Sequence, residues 1–145
     1  MKILVSACLL GTPCRYDGKS KKHPLIDALA EKHELVPVCP EVLGGLPTPR
    51  TPSERVGDSV LTQDGHDVTK NYRGGALAAL AIAKENGCTL ALLKSRSPSC
   101  GKGEIYDGTF SRALTRRDGV TAALLAENGI TVLSEDELSA LLGDP

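Results

Sequence analysis

Cys8, Cys39 and Cys100 each follow a short apolar run that is rich in strand-favouring residues. The runs are Ile3-Leu4-Val5, Leu35-Val36-Pro37-Val38 and Thr89-Leu90-Ala91-Leu92-Leu93. In an open parallel α/β sheet the carboxyl ends of all strands lie along one edge, where ligands bind. We therefore expect the three thiols to converge, and converging soft ligands indicate a metal ion or an iron–sulfur cluster.

The other two cysteines have different positions in the chain. Cys88 precedes the third apolar run, so it is expected at the opposite edge of the sheet, in the core. Cys14 lies in a loop beyond Cys8, with Gly11 and Pro13 between them. We interpret Cys14 as part of the wall of the site rather than as a ligand.

The spacing of the cysteines does not choose between possible metals. The sequence contains no C-x-x-C, no H-E-x-x-H and no local four-cysteine ferredoxin pattern. Three thiolates and a water would make an open zinc site. Three thiolates on an iron–sulfur cluster would leave one iron without a protein ligand. Both alternatives fit the residues.

Residues suited to proton transfer lie close to these cysteines. Glu41 stands two residues after Cys39 in a proline-bounded loop and can take up a proton. Ser97 and Ser99 flank a proline beside Cys100, where either hydroxyl can donate to a substrate. Basic residues in the strand-end loops are expected to make the mouth of the crevice positive, among them Arg15, Arg50 and Lys94.

The elements that position these residues alternate between strand and helix. Helix stops at Asn86-Gly87 and Asn128-Gly129, and a capping box over Ser134–Glu137, separate apolar runs at strand and helix spacing. The pattern predicts one α/β domain over residues 1–145: a three-layer α/β/α Rossmann-like fold with a mainly parallel four-stranded sheet. Val60-Leu61-Thr62 and Val68-Thr69 flank Asp64-Gly65, which predicts a small inserted hairpin.

Composition narrows the class of protein. The 17 basic and 18 acidic residues give no overall attraction to nucleic acid or membranes, and no stable nucleic-acid partner is expected. No apolar run reaches the roughly 20 residues that cross a bilayer, and the start has no signal-peptide pattern. Five cysteines are an odd number for a disulfide framework. We expect a cytoplasmic protein without a membrane partner.

Several motifs resemble those of the thiouracil desulfurase family, and the resemblance spans nearly the whole chain. They are Ser6-Ala7-Cys8-Leu9-Leu10-Gly11, Cys14-Arg15-Tyr16-Asp17-Gly18, Cys39-Pro40-Glu41, Gly44-Gly45-Leu46, Pro49-Arg50, Ser97-Pro98-Ser99-Cys100-Gly101 and Tyr106-Asp107-Gly108-Thr109-Phe110. The resemblance implies a [4Fe-4S] cluster that has three cysteine ligands, Cys8, Cys39 and Cys100, and one open iron. It also implies catalytic roles for Glu41 and Ser97.

The resemblance further implies a reaction and a substrate class. Sulfur of a thiolated uracil or thiouridine nucleotide, such as 4-thiouridine monophosphate, would be replaced by oxygen from water without net electron transfer, a reaction suited to nucleotide salvage. A nucleotide phosphate would contact Arg15, Arg50 or Lys94, and Ser99 would help to bind the substrate. The alternatives are a zinc-dependent hydrolase or deaminase, and a noncatalytic thiol or RNA-binding module.

Overall fold

The computed structural model describes residues 1–20 and 22–142. The strands are β1 (Lys2–Ser6), β2 (Glu34–Val38), β3 (Ser53–Val56), β4 (Ser59–Thr62), β5 (Leu90–Leu93), β6 (Ile105–Tyr106), β7 (Leu114–Thr115) and β8 (Thr131–Ser134). The helices are α1 (Ile26–Lys32), α2 (Pro40–Leu43), α3 (Thr69–Asn86), α4 (Val120–Glu127) and α5 (Leu138–Leu141), with 3₁₀ turns at Ala7–Leu10 and Glu135–Glu137. In this described part of the chain, no helix is long and apolar enough to span a lipid bilayer.

The main sheet has four strands in the order β2-β1-β5-β8, and every neighbouring pair is parallel. In this register Leu4 of β1 lies between Val36 of β2 and Ala91 of β5. Both faces of a parallel sheet are covered by its crossover helices, so its strands are buried on both sides. The predicted three-layer α/β fold with a four-stranded parallel sheet is confirmed.

Alternate residues of the strands pack into separate cores on the two faces of the sheet. Ile3 and Val5 pack with Leu29 of α1 and Leu138 of α5. The intervening Leu4 packs on the other face, with residues of α3 and α4 that include Leu80, Ala83, Ala122 and Leu125. Helices therefore cover both faces and hold the strands in place beneath the carboxyl edge.

The strand order changes direction between β1 and β5, because β1 is followed by β2 on one side of the sheet and β5 is followed by β8 on the other. The β1–β2 crossover carries α1 on one face, whereas the β2–β5 crossover carries α3 on the other. Connections that leave two adjacent strand ends in opposite directions open a crevice between them, where α/β proteins bind ligands. This topology places the candidate site at the carboxyl ends of β1 and β5.

The inserted hairpin lies earlier in the chain than the sequence predicts. Strands β3 and β4 pair antiparallel, whereas the expected turn at Asp64-Gly65 is followed only by an isolated bridge between Leu61 and Asp67. Thr69 begins α3 rather than a strand, because the Asp67 carboxylate accepts its backbone N–H at 2.9 Å. The prediction that residues 68 and 69 form a strand is therefore wrong: local side-chain hydrogen bonding starts a helix there.

Helices α2 and α3 approach each other through glycines. A Cβ atom on Gly75 of α3 would overlap the carbonyl oxygen of Pro40, and one on Gly44 would overlap the carbonyl oxygen of Asn71. Only glycine permits such backbone contact. Because Pro40 stands between Cys39 and Glu41, the Gly75 contact fixes the turn that carries both residues.

Gly75→Ala is expected to destabilise the fold by about 1–3 kcal/mol, because the added methyl group forces helix α2 away from α3. Gly74→Ala is the matched control, since a Cβ at this neighbouring helical position meets nothing within 4 Å. Alanine there should stabilise the helix by roughly 0.5–1 kcal/mol. Denaturant unfolding of the two variants measures the contrast, and equal stabilities would contradict the close-packing argument.

Candidate active site

Cysteines follow three adjacent strands of the main sheet at its carboxyl edge. Cys39 comes directly after β2, Cys8 lies in the 3₁₀ turn after β1, and Cys100 lies in the loop after β5. All three are free thiols, with Cys8 and Cys100 buried and Cys39 half-buried. Cys88 precedes β5 at the opposite edge of the sheet, among core residues. The parallel topology therefore brings three thiols to one edge of the sheet.

Cys14 lies closer to these thiols than its sequence position indicates. Its side chain lies beside those of Cys8 and Cys39, and its carbonyl oxygen accepts the Cys39 thiol at 3.7 Å. The contact with Cys39 lowers the pKa of the Cys14 thiol, but the contact with Cys8 and burial raise it more, so its pKa is above the usual value. The structure thus brings together four thiols, one more than the resemblance assigns to the cluster.

Two of the proposed ligands, Cys39 and Cys100, have raised pKa values. Hydrogen bonding with Cys14, followed by burial, raises the pKa of Cys39. Burial is also the main reason that the pKa of Cys100 rises to about 12, and the nearby Glu41 and Cys39 raise it further. A positively charged centre would reverse these shifts, since metal binding displaces thiol protons. The buried sulfur donors therefore fit a metal cluster.

The donors do not converge on a single point. Across residues 1–20 and 22–142, no group of three or more His, Cys, Asp and Glu side chains is placed to hold one metal ion. An iron–sulfur cluster distributes its irons, so its cysteine ligands are farther apart than the ligands of one zinc ion. Three strand-end thiols could hold a cluster or, with a water, a zinc ion.

Ser97 shapes the loop that carries Cys100. The Ser97 hydroxyl oxygen accepts the backbone N–H groups of Ser99 at 3.1 Å and Cys100 at 3.0 Å. The same hydroxyl donates to the Glu41 Oε1 oxygen, 3.4 Å away. Ser97 therefore fixes the Cys100 turn and also connects it with the predicted proton-transfer residue.

Glu41 forms an almost buried ion pair with Arg50. Arg50 Nε and Nη2 both donate to the Oε2 oxygen of Glu41, at 3.0 and 2.6 Å. The Arg50 side chain is 7% exposed and that of Glu41 is 14% exposed. Arg50, which the sequence suggests as a phosphate contact, is here directed at a carboxylate of the protein itself.

Tyr72 of α3 is a site residue that the sequence reasoning missed. It is 2% exposed, and Ser53 and Glu41 lie near its side chain. Burial, and then the charge of Glu41, raises the pKa of Tyr72. A signal was present, because Tyr72 begins the helical stripe that continues through Ala76 and Ala79, and a buried tyrosine hydroxyl needs a polar partner.

The other predicted substrate-binding residues have different surroundings. Lys94 pairs with Glu135 at 3.0 Å. Ser99 is fully buried, and its hydroxyl hydrogen-bonds to Thr121 at 2.7 Å, tying the loop to helix α4. Arg15 is half-buried, with its guanidinium carbon 5.9 Å from the ring centre of Tyr16. Arg50 and Lys94 pair with carboxylates, whereas the contact seen for the Arg15 guanidinium in the described residues is the Tyr16 ring.

Comparisons with known proteins agree with this architecture. The uncharacterized protein YbbK of Bacillus subtilis (strain 168) is 45% identical over 150 residues, covering 97% of this chain and 99% of the relative. The solved structure of the [4Fe-4S]-dependent thiouracil desulfidase TudS is 51% identical and superposes with a TM-score of 0.92, covering 97% of this chain and 94% of that one. The family described as 2-thiouracil desulfurase matches residues 3–137. With nearly its whole length matched, this chain belongs to the 2-thiouracil desulfurase family.

Proposed function

We propose that this chain is a [4Fe-4S]-dependent thiouracil desulfidase that replaces the sulfur of a thiolated uracil with oxygen from water and releases sulfide. The observation that carries the proposal is that strand-end thiols and the Ser97–Glu41 contact of 3.4 Å lie at the same edge of the sheet. The similarity to TudS over 97% of the chain supports the same chemistry. A free base and a nucleotide such as 4-thiouridine monophosphate both belong to the proposed substrate class.

Cys8, Cys39 and Cys100 would hold the cluster, because they follow adjacent parallel strands and lie at one edge of the sheet. When bound, a cluster with three protein ligands supplies an iron that is open to a soft sulfur atom and acts as a Lewis acid. Cys14 contacts two of these thiols and would form part of the wall. The family resemblance favours Cys8, Cys39 and Cys100 as the three ligands, and we therefore do not propose Cys14 as a fourth.

The protein side chains would move the protons. The overall reaction exchanges C=S for C=O, since water supplies the oxygen and both of its protons leave with the sulfide. Glu41 would accept a proton from the attacking water at Oε1, the oxygen that faces Ser97. Once Oε1 holds that proton it would no longer accept from Ser97, whose hydroxyl would turn to donate a hydrogen bond toward the pyrimidine ring, and Glu41 would pass its proton to the departing sulfur. No electron acceptor is needed.

The proposal is tested with protein purified or reconstituted without oxygen. The expected protein is brown, contains iron and acid-labile sulfide, and converts 2-thiouracil or 4-thiouridine monophosphate to the oxygen analogue with one sulfide released per product. Comparison of kcat/KM for the two substrates distinguishes base from nucleotide. A colourless zinc-loaded protein that desulfurates at full rate would instead support the zinc hydrolase, and a metal-free protein that only binds RNA would support the binding module.

A further inference from the structure

Arg50 connects more of the site than its ion pair with Glu41 alone. Its Nη2 donates to the carbonyl oxygen of Cys14 at 3.0 Å, and its Nη1 donates to the Pro47 carbonyl and the Thr48 hydroxyl, both at 3.2 Å. Its own backbone N–H donates to the Tyr16 carbonyl at 2.7 Å. One nearly buried side chain therefore joins the loop after β1, the turn after β2 and the loop leading to β3.

The two oxygens of Glu41 have different environments. Oε2 accepts two hydrogen bonds from Arg50, whereas Oε1 accepts one from the Ser97 hydroxyl. A free carboxylate rotates and exchanges its oxygens, but the planar guanidinium fork holds one of them in place. Buried Tyr72 lies beside this carboxylate.

From this geometry we infer that Arg50 is a positioning residue, which grips Glu41 through Oε2 and thereby presents Oε1 to Ser97 and the substrate. Arg50 also binds the carbonyl oxygen of Cys14, which lies beside Cys39, so one side chain links Glu41 to the loop next to the strand-end cysteines. The inference rests on the proposed desulfidase function. It assigns Arg50 to the protein's own carboxylate and not to a substrate phosphate.

The test compares Arg50→Lys and Arg50→Ala with Arg117→Ala. Arg117 is a matched control because it also pairs with a carboxylate and a backbone carbonyl, Asp58 and Gly57, but at an exposed site. Both Arg50 variants should retain the iron and acid-labile sulfide of the wild type. Their kcat should fall by roughly 10²-fold with little change in KM, as expected when a reacting group is misplaced by about 1 Å.

The kcat of the variants in the presence of added guanidinium distinguishes a positioning role of Arg50 from a purely structural one. Guanidinium should raise the kcat of Arg50→Ala, because it can occupy the vacated position beside Glu41, and it should not raise that of Arg117→Ala. A higher KM with an unchanged kcat would overturn the inference and make Arg50 a substrate contact. Loss of iron from Arg50→Lys together with its activity would also overturn it, since the arginine would then serve the cluster loops.

A second measurement separates this inference from the proposed function. If wild-type protein with a full cluster turns over no thiolated uracil, the proposed function fails, but the pairing is still measurable by thermal unfolding. In a cycle of Arg50→Gln, Glu41→Gln and the double variant, the two substitutions should be strongly non-additive, because each alone leaves a nearly buried partner unmatched. Additive effects would show that Arg50 does not hold Glu41, with or without catalysis.

Discussion

Cys39→Ala is expected to abolish both iron binding and desulfidation. The substitution removes one of three soft ligands, and the other two proposed ligands, Cys8 and Cys100, follow other strands of the sheet. Cys8→Ala and Cys100→Ala should have the same result. The measurement is iron and acid-labile sulfide per chain after anaerobic reconstitution, followed by sulfide release from 2-thiouracil.

Cys88→Ser is the matched control for these substitutions. Cys88 is also buried, and burial raises its pKa, but it precedes β5 and lies at the opposite edge of the sheet. It should keep full iron content and turnover. Cys14→Ser should also keep its iron if three thiolates and an open iron are correct, despite its contacts with Cys8 and Cys39. Iron loss in Cys14→Ser would point to a fourth ligand and contradict the open position.

The sequence contains enough information to predict the scaffold of the site. Each central strand is an apolar run with its own stop signal, and regular alternation with helices leaves few arrangements besides a parallel sheet. Cys8 and Cys39 follow strand ends directly, so their shared edge is a consequence of topology. Strand runs, helical periodicity and helix stops are set by residues that are close together in the sequence, so they can be recognised before the fold is known.

The partners of Arg50 could not be predicted in this way. Residues 44–52 contain glycines and prolines but no hydrophobic period, so nothing local specifies the path by which Arg50 returns to Glu41. Tyr72 reaches the same carboxylate only because glycines let α2 and α3 meet. Long-range contacts of irregular loops depend on the assembled fold. For this reason the sequence identifies Glu41 as a candidate but leaves its neighbours unassigned.

Glu41→Gln is expected to lower kcat by roughly 10²–10⁴-fold, the usual contribution of a positioned acid or base. The amide keeps the shape of the side chain but removes the basic oxygen that faces Ser97. The iron content should stay at the wild-type level, because Glu41 is not a proposed ligand. Single-turnover sulfide release by the brown protein measures the chemical step directly.

Glu54→Gln is the matched control, since Glu54 is also a buried glutamate, but its carboxylate accepts the backbone N–H groups of Gly108 and Phe110, away from the thiols. It should turn over at the wild-type rate.

Ser97 needs a comparison that keeps the hydroxyl group, because Ser97→Ala also leaves the N–H groups of Ser99 and Cys100 without their acceptor. Ser97→Thr should retain the loop and much of the activity, whereas Ser97→Ala should lose activity and weaken iron binding together. Undiminished turnover in iron-loaded Glu41→Gln would show that Glu41 does not transfer a proton in the reaction. Ser97 would then be the remaining proposed proton-transfer residue.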